Sequence, residues 1–303
     1  MQRITIIGTG LIGTSVGLAL RRAASATKDA ASYGGEILVY DAKPAEAEAA
    51  LRMGAASIAL GDEKSAVTAA AESDVVVLAT PVFAILDWME KLAPVMQAGK
   101  LVTDTGSTKL EIATTAARLF RGKSAAFLPG HPMAGKEQGG AKLGEATLFQ
   151  GAMWLFTPNQ GEPSEIEIEW RGMVKGFGCR TMDLDAGRHD RLCAWASHMP
   201  QMVATAMSAM LEDEFAESGA QVREEFRAIG GRALREMTRL GSSPYSMWRD
   251  VALTNTAPLA ETLLALEQRL AHLRENLKTA ELREEFTRAN KFRTATESGA
   301  IQQ

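Results

Sequence analysis

Cysteine is almost missing from this chain: Cys179 and Cys193 are the only two among 303 residues. They make no CxxC pair and no histidine stands at metal-ligand spacing, so neither a disulfide framework nor a zinc site is expected, and both read as plain core thiols. An excess of positive charge is missing too. The 33 Lys and Arg are outnumbered by 37 Asp and Glu, the pI is near 5.7, and no Lys/Arg cluster interleaves with aromatics. That sets aside a nucleic-acid partner and leaves a small molecule. Long apolar runs are absent as well. The first, residues 3–7, stops at Gly8 and is too short for a signal peptide, and no later run approaches the ~20 residues that span a bilayer. The expected location is the cytoplasm, with no membrane contact.

What is present is an ordinary globular composition, 46% hydrophobic and 23% charged, with length enough for two domains. Short β-branched runs at 4–7, 36–40, 75–79, 101–103 and 126–128 alternate with helical stretches. This is the pattern of βαβ crossovers and a doubly wound parallel sheet. Runs at 153–157 and 179–184, around a helix at 165–175, are expected to extend the same sheet. A small-residue stretch at 23–35 reads as a loosely ordered insertion. From Asp185 onward the β signal vanishes, and Leu192, Trp195, Met199, Met202 and Ala206 recur at helical spacing. The expected division is therefore an α/β Rossmann domain at 1–184 and an all-helical domain at 185–303. The helical part's Ala/Met-rich stripe exceeds one core's needs, which suggests a homodimer.

Gly8-Thr9-Gly10-Leu11-Ile12-Gly13 directly follows the first strand and opens a helix. In such a G-x-G-x-x-G turn Gly8 permits the sharp bend, Gly10 lets backbone amides approach a pyrophosphate, and Gly13 allows helix and strand to pack closely. Leu11 and Ile12 begin the helix whose N-terminus supplies the anion site. Asp41 closes the second strand, where a carboxylate accepts from ribose hydroxyls and repels the extra phosphate of NADP, so NAD is the expected cofactor. Thr80 and Pro81 follow the third long strand at the same ligand-binding edge. Two later loops there carry polar groups that a plain scaffold does not need, Asp104-Thr105-Gly106-Ser107-Thr108-Lys109 and Gly130-His131-Pro132-Met133-Ala134-Gly135-Lys136-Glu137. Ser107 and His131 can converge beside a nicotinamide, and a neutral imidazole suits removal of a hydroxyl proton near pH 7.

Through Gly8 to Gly13, Gly106-Ser-Thr-Lys109, His131-Pro-Met-Ala-Gly135 with Glu137, Leu148-Phe149, Ser197-His-Met-Pro200, Thr238-Arg239-Leu240 and Met247-Trp-Arg-Asp250, the sequence resembles the prephenate/arogenate dehydrogenase family. The resemblance implies that His131 accepts the C4 hydroxyl proton of prephenate or arogenate while hydride passes to NAD and the ring carboxylate leaves as CO2. Ser107 would bond the substrate hydroxyl and orient His131, and Glu137 would gate the pocket. Arg239 would bind a carboxylate, with His198 contributing from the helical part. No fused chorismate mutase or regulatory ACT domain is expected. One stretch, around 233–245, departs from the family's usual pattern, so substrate-side details follow less directly than cofactor details. His189 and His272 read as surface or helix-end residues. A β-hydroxyacid-type dehydrogenase, the nearest rival, would place a catalytic lysine in the helical part, and a sensor without catalysis would not need Ser107, His131 and Arg239 together.

Overall fold

The computed structural model describes residues 1–26, 33–120, 122, 125–159 and 161–299. From the N-terminus, β1 (Arg3–Ile7), α1 (Leu11–Ala26), β2 (Glu36–Tyr40), α2 (Pro44–Arg52), β3 (Ile58–Ala59) and α3 (Glu63–Glu72) form the first half of a doubly wound sheet. The second half is β4 (Val75–Leu78), α4 (Val82–Leu92), β5 (Leu101–Asp104), α5 (Leu110–Phe120) and β6 (Ala126–Leu128). The strands lie in the order β3-β2-β1-β4-β5-β6, and all are parallel. Strand β4 shows why the sequence takes this form. Its side chains are wholly buried on both faces, and they alternate between two cores. Val75 and Val77 join Ile4, Ile37 and Leu128 on one side, while Val76 and Leu78 join Ile85, Met89 and Phe127 on the other. A strand covered on both faces must be apolar at every position. Between β1 and β4 the strand order reverses, which opens a crevice at their carboxyl ends.

The stretches at 153–157 and 179–184 do not extend this sheet, contrary to the sequence expectation. A second sheet pairs β7 (Gly130–Pro132) with β8 (Met153–Phe156) antiparallel, and β8 with β9 (Arg180–Asp183) parallel. The cause lies at Pro129 and Gly130. Proline has no N–H for a ladder, and the Gly130 N–H donates to the Asp104 carboxylate at 3.2 Å, so the pairing of β6 with β5 cannot continue. The chain turns there, and Thr157 N–H closes onto the Pro129 carbonyl at 3.1 Å. Helix α6 (Glu165–Gly176) lies between β8 and β9 in sequence. Phe149, Trp154, Phe156, Trp170 and Phe177 attach the second sheet to the first core.

Helix α1 runs on through Ala26 into the stretch read as an insertion, and residues 27–32 of that stretch lie outside the described residues. After β9 the chain is helical: α7 (Ala186–Cys193), a π-helical turn (Ala194–His198), α8 (Met199–Phe215), α9 (Ala220–Thr238), a 3-10 turn (Arg239–Ser242) and α10 (Tyr245–Thr254). The wide turn ends just before Pro200, whose missing N–H interrupts the regular ladder. Two aspartates from these helices cap helices of the first sheet. Asp190 accepts from Lys109 N–H at 2.7 Å and Leu110 N–H at 2.9 Å at the start of α5, and Asp250 accepts from Phe83 N–H at 3.2 Å at the start of α4. Each carboxylate meets orphan donors at the positive end of a helix. In this way α7 and α10 are fastened over the sheet edge.

Residues Met1–Thr256 make one compact unit, and Ala257–Gln303 a second. The second contains α11 (Thr256–Glu275) and α12 (Ala280–Gly299), joined by an ion pair of Arg269 with Glu285 at 2.8 Å. Among the described residues no helix is long and apolar enough to cross a membrane.

Candidate active site at the sheet edge

The Gly8–Gly13 turn sits at the crevice between β1 and β4. Gly8 has φ +94°, a conformation side chains rarely adopt, and a Cβ there would stand 2.5 Å from the Ala79 carbonyl oxygen. A Cβ on Gly13 would stand 1.9 Å from the Gly8 oxygen, so both glycines are demanded by the protein's own packing. Gly10 is different, because a Cβ there would meet nothing within 4 Å. That open space, facing the amides at the start of α1, is the cradle a pyrophosphate needs. Leu11 is buried and Ile12 packs on the core. Asp41, just beyond β2, accepts from Thr9 N–H at 2.7 Å, the Thr9 hydroxyl at 3.2 Å and Lys43 N–H at 2.8 Å. Sequence reasoning passed over Thr9, which ties the acidic residue to the glycine turn. Thr80 packs against Gly8, and Pro81 caps α4. The residues present therefore fit a dinucleotide.

The loops after β5 and β6 are held by a buried ion pair. Lys109 Nζ bonds the Asp104 carboxylate and donates to the Gly130 carbonyl at 2.8 Å. Asp104 also accepts from Gly106 N–H at 2.7 Å. Burial pushes the Asp104 carboxyl up and the Lys109 amine down, each opposed by its partner's charge. Gly130, gripped at both its N–H and its carbonyl, is the residue before His131.

His131 lies on β7 and is buried. Its Nδ1 is 2.9 Å from His189 Nε2, and His189 Nδ1 is 2.8 Å from Asp190 Oδ1. His189 is fully buried, which corrects the surface or helix-end reading: α7 packs its inner face against the start of α5. No local signal marked it, because it is Asp190, capping α5 from 80 residues away, that brings its neighbour inward. Cys193 Sγ stands 3.5 Å from His189 Nε2, and burial raises this thiol to about 12. His131 Nδ1, His189 Nε2 and Cys193 Sγ all lie within 4.8 Å of one another; the chain of hydrogen bonds accounts for their closeness without an ion. Burial, then the charges of His189, Lys109 and His198, hold His131 well below the usual 6.5. It is a neutral imidazole at pH 7.

His198 closes the π-helical turn. It is buried, and burial lowers it to about 4. Asn255 Nδ2 lies 3.0 Å from His198 Nδ1 and donates to the Asp190 carbonyl at 2.9 Å, and the Trp248 ring stands edge-on to His198 at 5.8 Å. Ser107 is half-buried in the loop after β5, and its hydroxyl has no hydrogen-bond partner among the described residues. Glu137, beyond β7, forms an ion pair with Arg239 in the turn after α9. Of the other arginines near Arg239 in the sequence, Arg232 pairs with Glu236 at 2.6 Å and Arg249 with Asp250 at 2.7 Å. Arg239 is thus the one of these three bonded to the His131 loop. His272 belongs to the second unit, where its ring is 3.9 Å from Glu285.

A family described as "Prephenate dehydrogenase, nucleotide-binding domain" matches residues 23–181, and "Prephenate dehydrogenase, dimerization domain" matches residues 185–292. The chain is 33% identical over 257 residues to the prephenate dehydrogenase of Lactococcus lactis, covering 84% of this chain and 65% of that protein. It thus spans about two-thirds of that relative's length. Among solved structures it is similar to prephenate dehydrogenase from A. aeolicus in complex with hydroxyphenyl propionate and NAD+, with a TM-score of 0.82 at 25% identity, covering 98% of this chain and 97% of the other. It is also similar to Synechocystis arogenate dehydrogenase, with a TM-score of 0.74 at 26% identity, covering 97% and 99%.

Proposed function

The chain belongs to the prephenate dehydrogenase family, and from that premise we propose that it performs the NAD-dependent oxidative decarboxylation of prephenate to 4-hydroxyphenylpyruvate. The observation that carries this reading is His131: a buried, neutral imidazole, just past the carboxyl end of β6 in the same parallel sheet whose β1 ends in a glycine turn with open space at Gly10. The Gly8 to Gly13 turn, the start of α1 at Leu11 and Ile12, Asp41, Thr80 and Pro81 would hold NAD. When bound, NAD supplies the hydride acceptor.

The protein's own groups supply the rest. His131 takes the proton of the C4 hydroxyl, so that as C4 gives up its hydride the ring can lose its carboxylate as CO2 and become aromatic. Ser107 has a hydroxyl with no partner among the described residues, placed to bond the substrate oxygen and align it with the imidazole. Arg239, now paired with Glu137, exchanges that carboxylate for one of the substrate's, and Glu137 is left at the mouth of the pocket as a gate. His198 lines the pocket as a neutral ring. The domain division that goes with this reading is 1–184 for the cofactor and 185–303 for substrate binding and dimerisation. It is supported by the two family matches and by β9, the last strand among the described residues, ending at Asp183. Exposed apolar side chains on α8 and α9, including Met210, Ile229 and Met237, are the surface a homodimer would cover. The cytoplasm is the location that suits such an enzyme.

Absorbance at 340 nm with NAD and NADP, each with prephenate and with arogenate, tests the reading. Turnover of prephenate with NAD is expected. The resemblance to arogenate dehydrogenase makes arogenate the second arm, and turnover of neither substrate would overturn the assignment. Asp41→Ser should shift preference toward NADP, because the carboxylate that repels a 2′-phosphate is gone.

A further inference from the structure

The base proposed above rests on a chain of groups that so far have no task in the reaction. His131 Nδ1 meets His189 Nε2 at 2.9 Å, and His189 Nδ1 meets Asp190 Oδ1 at 2.8 Å. The same carboxylate is held in place by Lys109 N–H and Leu110 N–H at 2.7 and 2.9 Å. A carboxylate only accepts, so the His189 nitrogen facing it, Nδ1, carries a proton. With that proton committed to Asp190, His189 Nε2 is the ring nitrogen placed to accept from His131 Nδ1. The proton between the two rings therefore belongs to His131 Nδ1. His131 Nε2 is the bare lone pair.

We propose that His189 and Asp190 are positioning residues that fix His131 in its Nδ1–H tautomer and so present the Nε2 lone pair to the substrate hydroxyl. The proposal rests on the reading of His131 as the general base. A ring free to take either tautomer would spend part of its time with a proton where the substrate's must go. Of the groups around these nitrogens, Cys193 Sγ makes only a long 3.5 Å contact with His189 Nε2, and the charged and ring neighbours are engaged elsewhere. The Lys109 amine is bonded to Asp104 and the Gly130 carbonyl. His198 is served by Asn255.

The test compares His189→Leu, which removes the acceptor, with His189→Gln, whose amide oxygen can stand where Nε2 stood. His189→Leu should lower kcat about ten- to a hundredfold, with KM for prephenate and NAD within about twofold. His189→Gln should recover kcat to within about threefold of wild type. An unchanged kcat in the leucine variant, or a glutamine variant as slow as the leucine one, overturns the proposal. The tautomer is read independently by imidazole nitrogen spectra of the full chain. It has four histidines, and loss of one signal set in His131→Asn identifies His131. An Nδ1–H tautomer in wild type and in His189→Gln, lost in His189→Leu, supports the relay, and an Nε2–H tautomer in wild type sinks it. If wild type shows the expected tautomer but turns over neither prephenate nor arogenate, the functional reading fails and the relay stands.

Discussion

The two sides of the candidate site are built in opposite ways. His131 is 8% exposed, preceded by a residue clamped between Asp104 and Lys109, and bonded to the buried His189, which is bonded in turn to Asp190. The Arg239 side chain is 60% exposed and held by a single ion pair to Glu137. The difference follows from what each must do. A base must stand in one orientation before substrate arrives, because misplacement by an ångström forfeits much of its effect. A carboxylate clamp must let go of one partner and take another. Exchanging Glu137 for a substrate carboxylate costs little when the arginine is more than half in water and its partner partly so.

The largest effect should come from the rigid side. His131→Asn should lower kcat by roughly 10² to 10⁴, the usual contribution of a positioned base, with NAD binding little changed. The pH profile sharpens the point. Burial holds His131 well below 6.5, so the acid limb of wild-type kcat/KM should fall below that pH, and the variant should lack it. Lys109→Met would break the support rather than the chemistry. It leaves Asp104 buried without its cation, which should cost about 3–5 kcal/mol of stability, read from the urea midpoint.

Acid attacks the same side. His198 is lowered from 6.5 to about 4 in the folded chain, so the unfolded chain takes up the proton first as pH falls. Stability should be complete above about 6.5 and decline by about 3 kcal/mol as pH falls toward 4. Urea unfolding at pH 7 and pH 4.5 would show this, and His198→Gln should flatten the decline. The exposed side should respond most weakly. Arg239→Ala should raise KM for prephenate about ten- to a hundredfold, lower kcat less, and leave stability within about 1 kcal/mol. An unaltered KM would erase the comparison, since Arg239 would then be a surface charge like Arg232.

The parallel sheet was legible because each strand is an apolar run with its own length and boundaries; β2 and β6 fall where the sequence places them, at 36–40 and 126–128. The pair β3 and β7 was not, because two or three residues carry no period. The second sheet was misjudged because strand propensity at 153–157 does not say which partner the strand finds. Pro129 and the Asp104 carboxylate decide that together, from positions far apart in sequence. His131, Ser107, Glu137 and Arg239 could be singled out from loop chemistry and family likeness. His189 could not, since one histidine on a short polar helix looks the same whether it faces water or a neighbour.

By itself the sequence determined which backbone conformations were needed at Gly8 and where ionisable groups would follow strand ends, since sterics and periodicity act over a few residues. Only the tertiary structure decided that Asp190 caps α5, and that capping is what turns His189 inward onto His131. Hydrogen-bond partners some 60 to 80 residues apart are chosen by packing, and packing leaves no local pattern to read.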